Sequence, residues 1–128
     1  MANSEVICAF IPPTDESPDS SLATPVENPD LALLRRLGAT DELLDLHMDV
    51  RAAAGCTVCR KTGYYGRAAI YEVMPATEGI SRLIVERASS ADIERLAVEQ
   101  GMDTLRVSAL RRVLKGDLSL NEMVRVVS

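Results

Sequence analysis

The chain has 128 residues, 47% of them apolar and 26% charged, which suffices for one domain with a real core but not for a multidomain machine. Four aromatic residues and no Trp leave an aliphatic core and argue against a stacking platform for single-stranded nucleic acid. The net charge of −5 is uneven, with ten acidic and two basic side chains in residues 1–50 against nine and twelve in residues 51–128, and no stretch is basic enough to track a nucleic-acid backbone.

From the N-terminus, the apolar run Val6 to Ile11 fits a short buried strand. Residues Pro12 to Asp30 hold five of the six prolines among Ser and Asp, so they lack backbone donors and apolar surface to bury. Residues 1–30 therefore read as an N-terminal segment with a flexible or extended acidic linker, and residues 31–128 as the folded module. Leu31 to Leu37 predicts a short helix with Asp30 as cap and Gly38 as stop. A second helix is expected from Thr40 to about Met48, with Asp41 and Glu42 in the turn where the helix dipole favours anions.

Ala68 to Val73 is a strand candidate ended by Pro75. Four helical stretches follow. Their apolar stripes are Ile80, Leu83 and Ile84; then Ile93, Leu96 and Ala97; then Leu105, Ala109, Val113 and Leu114; and last Leu120, Met123, Val124 and Val127. Ser89 or Ser90 is placed to cap the second of these helices, and Ser119 with Glu122 has capping-box spacing before the fourth. The expected fold class is α+β, mainly α: a small β-hairpin resembling a zinc knuckle, packed on one bundle of short helices.

No apolar run approaches the ~20 residues that span a bilayer, and the N-terminus lacks the charged and apolar regions of a signal peptide. The expectation is a cytoplasmic chain without membrane insertion. Three cysteines are too few and too odd for a secreted disulfide framework.

Chemistry concentrates between Gly55 and Arg67, in GCTVCRKTGYYGR. Cys56 and Cys59 are spaced to place both sulfurs on one metal ion, and Gly63 and Gly66 allow the positive φ values of a chain reversal. The strand after them would complete a hairpin. Zinc takes four ligands, and Cys8 either supplies a third or is a buried apolar residue. The fourth ligand is not identified. His47 lies nine residues before Cys56 and reads as an exposed or core-edge imidazole rather than a ligand. Thiol–disulfide exchange is an alternative for a C-x-x-C pair, although such pairs usually open a helix whereas a glycine-rich turn follows here.

The run GCTVCRKTGYYGRAAIYEVMP resembles the C-terminal block of type II secretion and type IV pilus assembly ATPases of the GspE/PilB type. That block reads roughly Gly-Cys-x-x-Cys-x-x-Thr-Gly-Tyr-x-Gly-Arg, then Ile-Tyr-Glu. Its fixed positions fall on Gly55, Cys56, Cys59, Thr62, Gly63, Tyr64, Gly66 and Arg67, then Ile70, Tyr71 and Glu72. The likeness continues through Leu83-Ile84, Gly101-Met102-Asp103-Thr104-Leu105, Val113-Leu114-Lys115-Gly116 and Glu122-Met123-Val124-Arg125-Val126, to about Val127.

A lone Arg after a glycine turn, as Arg67 is, reads as a solvated or carboxylate-paired side chain; its place in the motif implies instead that it fixes the hairpin against the rest of the domain, pairing with Glu72. The resemblance also implies zinc on two C-x-x-C pairs, but here Cys8 stands for the first pair and Ile11 occupies its second position. The 128 residues contain no G-x-x-x-x-G-K-[ST] segment to hold nucleotide phosphates and none of the family's acidic Mg²⁺-handling motifs. The implied function is a non-catalytic C-terminal module, fragment or remnant, with a structural and docking role and no ATP binding of its own. Implied partners are the motor domain or subunits of such an ATPase and the inner-membrane platform, at the cytoplasmic face. Oligomers would form only with the full motor. A stand-alone zinc-knuckle adaptor or thiol-redox protein is the alternative.

Overall fold

A computed structural model describes residues 2–8, 23–46, 48–54, 60–64 and 67–127. Six helices lie among them: α1 (Leu31–Arg36), α2 (Asp41–Leu46), α3 (Glu78–Val85), α4 (Ser90–Glu99), α5 (Leu105–Leu114) and α6 (Leu120–Val127). Each is only six to ten residues long, so its start depends on a cap. All six have one of the same kind. The side-chain oxygens of Asp30, Thr40, Thr77, Ser89, Thr104 and Ser119 accept the backbone N–H three residues on, at 3.0–3.3 Å. Each such bond contributes about 1 kcal/mol. Ser89 rather than Ser90 is the cap before α4. Of the expected capping box, Ser119 does its part, while the Glu122 carboxylate is bound twice by Arg125, at 2.6 and 2.8 Å.

The strands are β1 (Ala2–Cys8), β2 (Ala23–Pro25), β3 (Arg51–Ala53) and β4 (Arg67–Val73). They form two antiparallel pairs, β1 with β4 and β2 with β3. This corrects the hairpin expected between the glycine turn and the strand after it. Among the described residues β4 pairs with β1, which matches it in length, with Ala2 opposite Val73 and Cys8 opposite Arg67. The turn lies against β3 instead. Residues 12–22 of the Pro-rich segment lie outside the described residues. So do Gly55 to Cys59 and Gly66, and with them the zinc-knuckle detail.

Among the described residues the buried apolar side chains form two clusters rather than the one bundle the stripes suggested. The larger joins Leu34 of α1, Leu43 of α2, Ile70 of β4, Met123 of α6, and Ala109, Leu110, Val113 and Leu114 of α5, all buried. The smaller holds Ile80, Ala97 and Met102, with Met74, Ile93 and Leu96 packed around them. Ile84, expected in the core, is 45% exposed, because the α3–α4 contact is too narrow to cover it. No helix among the described residues is long and apolar enough to cross a membrane.

Leu110 is completely buried, so Leu110→Ala should cost about 2–5 kcal/mol in urea unfolding. Val85 is 82% exposed, and Val85→Ala should stay within about 0.5 kcal/mol of the parent.

Candidate functional site

The described part of the cysteine-bearing block is the turn Arg60 to Tyr64 and the strand β4. Three residues in four adopt left-handed backbone here: Arg60 at φ 53°, Lys61 at φ 64° and Gly63 at φ 80°. For Arg60 and Lys61 this costs about 1 kcal/mol or more each, so surrounding contacts must hold the turn. Three neighbouring motif residues supply them.

Thr62 clasps the turn locally. Its hydroxyl accepts the Tyr64 N–H at 3.2 Å and lies 3.1 Å from the Tyr64 carbonyl oxygen, to which it donates. Gly63 sits directly on β3. A Cβ at this position would be 2.5 Å from Ala53 Cβ and 3.0 Å from Ala53 Cα, so both the space and the φ value demand glycine. The Tyr64 hydroxyl reaches the Ser119 hydroxyl at 2.6 Å. Ser119 is buried and also caps α6, so one hydroxyl joins the turn to a helix 55 residues away.

Glu72 ties the other end of the block to the helices. Its carboxylate accepts the Leu105 N–H at 3.0 Å, placing a negative charge at the start of α5 beside the Thr104 cap. An anion at that position stabilises the helix by about 0.3–1 kcal/mol. This replaces the expected Arg67–Glu72 pair. The two residues are five positions apart on one strand, about 17 Å along it and on opposite faces. Arg67 is exposed and has no ion pair among the described residues.

A further anchor went unnoticed in the sequence. The Asp49 N–H donates to Leu114 O at 2.9 Å, and the Asp49 carboxylate pairs with Arg51 at 3.0 Å. Gly116, at φ 80°, closes α5 against them, with Asp49 O 2.8 Å from where its Cβ would stand. Nothing in the residue types at 49 and 51 signals this, because their partner lies across the fold.

Of the cysteines, Cys8 ends β1 as the register partner of Arg67, eight residues beyond Cys59. Cys56, Cys59 and His47 lie outside the described residues. Among the described residues no group of three metal-binding side chains comes together. What the described site does is mechanical: it locks a strained turn, a strand and two helix starts into one body.

A family profile described as "Type II/IV secretion system protein" matches residues 29–125. The chain is 36% identical over 109 residues to the type IV pilus assembly ATPase PilB of Acinetobacter baylyi, covering 85% of this chain and 19% of that protein. It is 44% identical over 70 residues to PilB of Myxococcus xanthus, covering 55% and 12%. It is 33% identical over 93 residues to the type II secretion system protein E of Xanthomonas campestris pv. campestris, covering 73% and 15%. The chain thus spans less than a fifth of the length of these relatives.

The Tyr64–Ser119 bond should register in a double-mutant cycle. Tyr64→Phe and Ser119→Ala are expected to couple by about 0.5–1.5 kcal/mol in urea unfolding. A coupling indistinguishable from zero would remove this tie from the account of the site.

Proposed function

The chain belongs to the type II/IV secretion system protein family, and from that premise we propose that residues 31–128 act as a non-catalytic C-terminal module of a secretion or pilus-assembly ATPase. The observation that carries this reading is the extent of the match. It runs from residue 29 to residue 125, into α6, while the chain spans under a fifth of relatives whose names describe ATPases. A separate zinc-knuckle adaptor or thiol carrier would have no use for the helices after Arg67.

Phosphoryl transfer needs a phosphate-cradling loop with its Lys, and acidic groups to handle Mg²⁺. No segment of the 128 residues has the form of that loop. The module's contribution is therefore support and docking. Its partners are the motor domain or subunits of the ATPase and the inner-membrane platform, met at the cytoplasmic face. The locked turn and the two anchored helix starts suit such a role, because a docking body must keep its shape under load.

Cys8, on the strand paired with β4, joins Cys56 and Cys59 of the module in holding one structural Zn²⁺. The register sets Cys8 opposite Arg67, on the strand that follows the Cys56–Cys59 pair by eight residues. Three thiols suit zinc and fill three of its four tetrahedral positions. The bound ion would cross-link β1 to the turn.

Calorimetry of the purified chain with Mg-ATP should show no binding. A micromolar dissociation constant would overturn the non-catalytic reading. Protein purified without added zinc should carry one Zn per chain and lose it on Cys56→Ser. Metal-free parent protein would reject the three-thiol site while leaving the module reading intact.

A further inference from the structure

The α3–α4 hairpin stands apart from the rest of the chain. Its two helices pack chiefly on each other, whereas β1, β4, α5 and α6 pack among themselves. Its buried residues, Ile80 and Ala97 together with Met102, form a cluster that shares no member with the larger one. Gly79 lets the two helices approach closely: a Cβ there would lie 3.3 Å from Leu96 Cδ2.

Two short necks join the hairpin to the body, residues 74–77 and residues 100–104. The bond across them, Thr77 Oγ1 to Gln100 Oε1 at 2.8 Å, ties one neck to the other and not to the body. The ion pair from the second neck to α5, Asp103 with Arg111, leaves both side chains nearly half exposed, where such pairs contribute little. Beside α4, an open recess of about 430 Å³ is lined by Glu94 on the hairpin, by Thr104 at the end of the second neck, and by Glu72, Leu105, Arg106 and Val127 on the body.

We propose that the α3–α4 hairpin is a separate cooperative unit, which opens on its two necks while the body built on α5 stays folded. Helices of eight and ten residues do not persist alone in water, so they depend on their mutual contact. Among the described residues the hairpin's cluster holds three buried side chains, one of them an alanine and one, Met102, from the neck, against eleven in the body. Ordering each residue costs conformational entropy whichever cluster it joins. The hairpin therefore has the thinner margin and is the first part of the fold to open.

Native-state hydrogen exchange on the full 128-residue chain, across a series of low urea concentrations, tests this. Interior amides of α3 and α4 should exchange through an opening with a smaller urea dependence than that of α5. Their protection should be at least about tenfold lower than that of α5. Ile80→Ala should raise exchange within α3 and α4 by at least about tenfold while leaving α5 and α6 within about twofold. Should the variant fail to fold, the unmutated chain still decides. If α3–α4 amides share the protection and urea slope of α5 there, the chain opens as one unit and the proposal fails.

Discussion

Leu110, Val113 and Leu114 line one face of α5 with no more than 1% of any side chain exposed, and the body of the molecule is arranged around them. Ile70 of β4, Met123 of α6, Leu34 of α1 and Leu43 of α2 all belong to the cluster that this face closes. An aliphatic core without large aromatics needs many modest contacts at once, since each fully buried side chain of this size contributes about 1.5–3 kcal/mol. The position of α5 is therefore the constraint on which the others depend, and both of its ends are tied. Glu72 and Thr104 satisfy N–H groups at its start, and the Asp49 N–H takes the Leu114 carbonyl at its end.

Seen from α5, the motif between Gly55 and Glu72 acquires a physical reading. Thr62, Gly63 and Tyr64 each hold a strained turn in a different way, by a local clasp, by close backbone approach and by a distant hydroxyl. Glu72 then passes the strand's position to α5. A pattern that looks like a binding site in one dimension is, in its described part, a set of fasteners.

The hairpin α3–α4 complicates that rigid body. It carries three exposed apolar residues, Ile84, Val85 and Val98. Its buried cluster holds the two helices to each other and to Met74 and Met102 of the necks. The fasteners gather on the body, and the hairpin is held by the smaller of the two clusters.

Much of the helical structure was legible in the sequence because its signals are local. Apolar spacing, Asp30, Ser89 and Ser119 marked helix faces and starts, and Thr77 and Thr104 follow the same rule although they were not singled out. Gly63 and Tyr64 were flagged by the motif, but not for what they touch. The strand partners, the α5 anchor of Glu72 and the division into two cores came only with the tertiary structure. The reason is distance along the chain. Glu72 meets Leu105 across 33 residues and Tyr64 meets Ser119 across 55, and β2 and β3 are three residues long, too short to show an alternating pattern. What the sequence determined by itself is where helices begin and which family motif the turn carries. Only the tertiary structure decided which strand pairs with which, that the carboxylate of Glu72 goes to the start of α5, and which two helices are left to hold each other, because each depends on residues far apart in sequence.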